Sequence, residues 1–212
     1  NPGVAPEGKV RVTYSNVPVR FADGTLVELR KPQLEISQLG YGAMRADTLF
    51  STRIAPPMIG LGLLEMIDEK DILANADPDD RDGDGISGRA NRVWDREAET
   101  VALGRFGWKA GNPSVRQQSG EAFAGDIGIS NPVLRTAWGD CTDAQTFCRD
   151  APSGASPQYD GLEADEEVLG LVTHYARNLA VPVRRDVDEP AVLAGKKVSM
   201  RAAASRATCR ST

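Results

Sequence analysis

The stretch EADEEVLGLVTHYARNLA, residues 163–180, carries the strongest helical signal in the chain. Val168, Leu171, Val172, Tyr175 and Leu179 recur at the spacing that lines one side of a 3.6-residue helix. Glu163, Asp165, Glu166 and Glu167 crowd its beginning, where the helix dipole favours negative charge. Working outward, NPSVRQQSGEAFAG (112–125) predicts a second helix, with Asn112 as its cap, Pro113 in its first turn and Gly125 just beyond its end. Residues 57–66 and DEKDILANA (68–76) predict two shorter ones, the latter opening on Asp68 and Glu69. DVDEPAVLAGKK (186–197) begins another, with Asp188 as N-cap and Pro190 in the first turn. These segments make the expected fold class mainly α.

Residues 10–36 depart from that pattern. VRVTYSNVPVRF and TLVELRKPQLEI alternate in short pieces around the turn signal Ala22-Asp23-Gly24-Thr25, which predicts a small β-hairpin insertion or two short edge strands. Pro18 and Pro32 are expected to interrupt the ladders. The polar stretch 77–88, the glycine-rich LGRFGWKAGNP and residues 126–160 read as long ordered loops, with Trp94, Trp108 and Trp138 expected to plug loops onto the core.

The composition excludes several classes of function. With 212 residues, 41% of them hydrophobic, the chain is long enough to bury a core. A net charge of −5 and scattered basic residues give no nucleic-acid footprint. The longest apolar stretch, APPMIGLGLLEMI, is broken by two prolines, two glycines and Glu65, so no membrane span is expected. No basic, apolar leader opens the chain.

Two groups of residues suggest chemistry. DPDDRDGDGISGRANRVWD (77–95) begins like an EF-hand calcium loop: Asp80, Asp82 and Asp84 stand at the first, third and fifth positions and Gly85 at the sixth. Asn91 stands at the twelfth, where a bidentate Glu is usual, and Asp77 and Asp79 lie close by. A solvated acidic turn is the competing reading. Cys141 and Cys148 bracket CTDAQTFC, which is either a small disulfide ring in an oxidising compartment or two unrelated loop thiols. The only histidine, His174, reads as a packing or surface residue, and no catalytic residue can be named.

Taken together, PGVAPEGKVRVTY, FADGTLVELRKP, RIAPPMIGLGLLEMI, ILANADPDDRDGDGISGRANRVWD, LGRFGWKAG, QQSGEAFAGDIGI and YARNLAVPVRRDVDEPAVLAGKK, in order over residues 2–197, resemble the bacterial di-haem oxidoreductases related to two-haem cytochrome c peroxidases, some of them labelled thiol oxidoreductases. The resemblance implies a cytochrome c-like fold in the haem regions, c-type haem as cofactor, a periplasmic location, and as partners a small-molecule substrate and an electron-donor protein. It also implies peroxidase-like electron transfer, one haem accepting electrons while the other carries out the chemistry. Family members attach each haem through a CxxCH motif, and this sequence contains none. On this reading residues 1–197 are the inter-haem segment of such an enzyme, inactive as written. The alternative is a non-enzymatic calcium-binding module.

Residues 198–212, VSMRAAASRATCRST, fit neither reading, since helical order is expected to stop at Lys197. One reading-frame shift accounts for the tail. With codons permitted by Ser199–Thr212 and one extra T in front, the segment translates as Phe, one unspecified residue, then EGGCIACHVPVD. That restores a CxxCH where the family has one, so the tail is expected to be a frameshifted haem-binding segment, with a real, divergent basic tail as the alternative.

Overall fold

The computed structural model describes residues 5–83 and 85–201, which fall into two compact units: residues up to 55 together with 140–153, and residues 56–139 together with 154 onward.

In the first unit, β1 (Lys9–Arg20) pairs antiparallel with β2 (Leu26–Ser37) across twelve residues each, in the register Lys9↔Ser37 to Arg20↔Leu26. The turn is the one its sequence asks for. Gly24 N donates to Phe21 O, Phe21 N to Thr25 O and Thr25 N to the Asp23 carboxylate, while Gly24 takes φ 88°, which a side chain at that position would strain. The prolines do not interrupt the ladder. Phe21 and Thr25 form a hydrogen-bonded pair, so with alternation Pro18 (opposite Glu28) and Pro32 (opposite Tyr14) both fall at non-hydrogen-bonded positions. Their missing N–H groups face the two outer edges, where no partner strand needs them.

The second unit holds the core. α1 (Leu61–Met66), α3 (Val115–Ile127) and α5 (Glu166–Asn178) pack on one another around Phe106, Val115 and Ala176, with Leu61 and Leu64 against them. Gly62 lies so close to the Arg177 carbonyl that a Cβ there would overlap it. α2 (Glu69–Leu73) is capped by Asp68, whose carboxylate accepts from Lys70 N. β3 (Arg92–Asp95) and β4 (Thr100–Leu103) form a second, short antiparallel hairpin, and α4 (Thr146–Arg149) is a single turn belonging to the first unit. α6 (Pro190–Arg201) closes the described chain.

The expectation of a mainly α, cytochrome c-like fold is wrong. Among the described residues helix accounts for 28% and strand for 19%, and the named strands form two separate two-stranded sheets. The physical cause lies in the punctuation: 21 glycines and 13 prolines keep the longest helices to thirteen residues and leave long hydrogen-bonded loops between them. The hairpin expected as a small insertion is instead the longest continuous pairing.

Boundaries shift as well. Ser114, not Asn112, caps α3, its hydroxyl accepting from Gln117 N, and the left-handed residue at its end is Gly128, not Gly125. The sequence stripe is only partly inward: Val168, Leu171 and Tyr175 are 42, 62 and 63% exposed and Val172 and Leu179 half-buried, whereas Leu169, Thr173 and Ala176 are buried. Both sets repeat at helical spacing, and the set carrying the small residue Ala176 is the one that allows α1 to approach closely. Trp94 and Trp108 are exposed rather than plugging loops onto the core. Helical order runs past Lys197 to Arg201, so the tail begins inside α6; the rest of it, 202–212, lies outside the described residues.

Candidate functional site

The acidic loop is closed at its base by a bridge in which Asp77 N donates to Gly88 O. Above it the Asp77 carboxylate accepts from Arg81 N at 2.8 Å and Asp82 N at 3.3 Å, and Asp80 accepts from Gly85 N at 3.1 Å. The Arg81 amide, aided by the Asp82 amide and the Arg81 charge, holds the Asp77 carboxyl below its ordinary range. Carboxylate oxygens of Asp77, Asp80 and Asp82 lie within 4.8 Å of one another, close enough to share one cation. Of the four residues the sequence offered as ligands, Asp80 and Asp82 belong to this trio, and Asp77 joins them. Asn91 turns its amide nitrogen to the carbonyls of Lys109 and Ala110, and Asp84 lies outside the described residues.

A second polar centre was not foreseen. Glu65 of α1 receives the Arg177 guanidinium through Nε at 2.5 Å and a terminal nitrogen at 3.1 Å, and its Oε1 also accepts from Val115 N, the first amide of α3. Arg105 donates to the carbonyls of Leu64 and Ile67, which closes the C-terminal end of α1. A groove of about 500 Å³ runs beside the pair, walled by Leu63, Met66, Leu179 and Val181. No motif announces Glu65: in the sequence it reads only as a break in an apolar run, and its partner lies 112 residues away.

A third polar knot centres on Ser130 and Asn131, both fully buried. Asn131 donates to the carbonyls of Gly120 and Ile129 and accepts from Val133 N and Leu134 N, while Ser130 and Glu163 bond reciprocally through Ser130 N, Ser130 Oγ and Glu163 N. These bonds fix the entry to α5, so the knot is architectural.

Cys141 and Cys148 form a disulfide. His174 sits on the exposed side of α5, where its carbonyl accepts from Asn178 Nδ2 and its ring Nδ1 lies 3.4 Å from the same nitrogen, consistent with a surface histidine. This donor set does not fit thioether attachment of a haem. Such attachment needs two free thiols three residues apart with a His directly after the second. Here the two described cysteines are bonded to each other at a separation of 7, followed by Thr142 and Arg149.

Among known protein families, the one described as "Di-haem oxidoreductase, putative peroxidase" matches residues 3–212. Neither a curated protein nor a solved structure matches the chain.

Proposed function

The chain belongs to the di-haem oxidoreductase family, and from that membership we propose that it is the region between the haem-attachment sites of a periplasmic, peroxidase-like electron-transfer enzyme. The observation that carries the reading is the length of the family match, which spans both compact units. On this reading its partners are an electron-donor protein and a small oxidising substrate, and its residues act as scaffold. The Cys141–Cys148 disulfide supports an oxidising compartment.

Because its thiols do not fit haem attachment, the chain as written is inactive on its own, and the tail from Val198 is frameshifted sequence standing where a CxxCH belongs. Sequencing the gene around codon 198 and upstream of codon 1 tests this. A haem motif in either place supports the oxidoreductase; an undamaged gene with a stop directly after codon 212 and no upstream CxxCH overturns it.

A second reading, a calcium-binding structural module, is favoured by one observation, the convergence of Asp77, Asp80 and Asp82. It does not depend on haem and is tested separately below.

A further inference from the structure

The chain leaves its first unit at residue 55, returns to it only for residues 140–153, and leaves again. Little of this excursion is buried. α4 is four residues long, and Gln145 is the one buried side chain between 140 and 153. Gln145 organises the loop: its Oε1 accepts from Thr142 N and Oγ1, its carbonyl accepts from Cys148 N and Arg149 N, and its Nε2 donates to Glu7 at 3.2 Å. The disulfide closes the ring around Gln145, with an ion pair between Asp143 and Arg149 beside it. Both cysteines are only partly buried, so a thiol in solution can reach the bond.

We propose that the Cys141–Cys148 disulfide is a redox-operated clasp: oxidised, it pins the 140–153 excursion to the first unit through Gln145 and Glu7; reduced, it releases the excursion while the second unit keeps its fold. The agent is a dithiol. Its thiolate attacks one of the two sulfurs, the S–S bond breaks, and the other cysteine leaves as a thiolate. The donor's second thiol then displaces the mixed disulfide. The chain gains two electrons and two protons as two thiols, and the donor departs as a disulfide. The clasp concerns the first unit alone and stands apart from any haem chemistry.

The release follows from chain entropy. Without the bridge the short ring regains the conformations that closure removed, and the hydrogen bond from Gln145 to Glu7, in partly exposed surroundings, does not by itself offset them.

The test uses the full chain in three states: oxidised, reduced by dithiothreitol without denaturant, and reoxidised. Hydrogen exchange of the Cys148, Arg149 and Asp150 amides and the rate of tryptic cleavage after Arg149 are followed together. Reduction is expected to raise both by on the order of tenfold or more, reversibly, with α3 and α5 amides unchanged. The double variant Cys141→Ser/Cys148→Ser should reproduce the reduced state whatever the reductant. A bond that resists excess dithiothreitol, or local protection that reduction leaves unaltered, overturns the clasp. Loss of protection throughout α3 and α5 overturns it equally, because the bridge would then hold the whole fold.

Discussion

Glu65 and Arg177 meet in a two-armed ion pair that ties α1 to α5, and the same carboxylate takes the first amide of α3, so one side chain joins all three helices of the core. Burial pushes the Glu65 carboxyl up, but the Arg177 and Val115 hydrogen bonds and the charges of Arg177 and Arg105 outweigh it, leaving the group below its ordinary 4.5. Glu163 is lowered in the same way: burial opposes, and the amides of Ser130 and Gly154 with the Ser130 hydroxyl prevail.

A carboxyl with a lowered folded-state pKa contributes stability that is fully present above its unfolded value and is lost as pH falls through the folded one. Stability is therefore expected to be level from pH 7 to about 5 and to decline below about 4.5. Glu65→Gln should cost about 1–3 kcal/mol at pH 7, the range for losing charge-assisted hydrogen bonds, and should flatten part of the acid decline. Urea unfolding of both proteins at pH 7 and pH 3.5 checks this; an equal acid decline in the two would remove Glu65 from the account.

Pro18 and Pro32 each deny one outer edge of the long hairpin a donor at its non-hydrogen-bonded position. Unpaired strand edges of this length invite pairing with other chains, and Pro is one of the devices that prevents it. The double variant Pro18→Val/Pro32→Val should keep the hairpin, since neither position bonds to the partner strand, yet self-associate with rising concentration. Light scattering against circular dichroism separates the two effects. A variant that stays monomeric with an intact sheet signal would show that the edges are protected by something else.

What the sequence made legible was local. The Ala22–Thr25 turn could be read because Gly24 and Asp23 are needed for its backbone geometry, and the acidic start of α5 because Asp165 caps Val168 N within its own turn. The core could not be read this way. Val168, Leu171 and Tyr175 have the right period but face outward, because burial is decided by how closely Gly62 and Ala176 let α1 and α5 approach, a fact about two distant segments. Glu65 was invisible for the same reason. In the acidic loop the density of carboxylates was plain, but that Asp77 would join the trio was not, and Asn91 was drawn off by carbonyls eighteen and nineteen residues on.

The acidic trio makes calcium binding testable. Three carboxylates within 4.8 Å repel one another, and a cation relieves that repulsion. Calcium at a hundred times its Kd adds about 2.7 kcal/mol to stability, so calcium in the millimolar range is expected to raise the Tm, and Asp82→Ala to abolish the rise. The Asp77 and Asp80 carboxylates accept backbone amides, so their loss would also disturb the loop itself. Melting curves that calcium leaves unmoved would identify the loop as a solvated acidic turn.

Haem attachment tests the proposed reading of the chain most directly. Thioether formation adds two cysteine thiols across the haem vinyl groups and relies on the neighbouring His to hold the iron. Cys141 and Cys148 are consumed in a disulfide, Cys209 is followed by Arg210 and has no second cysteine three residues before it, and the only histidine, His174, is far from all three in sequence. Expressed with a cytochrome c maturation system, the chain is therefore expected to carry no covalent haem, and its denatured form should show no c-type band in a pyridine haemochrome spectrum. The version with one base inserted before codon 199, which reads EGGCIACHVPVD, should acquire one haem per chain. A c-type band from the unaltered chain would refute the attachment argument, whereas its absence from the frame-corrected chain would refute the reading of the tail.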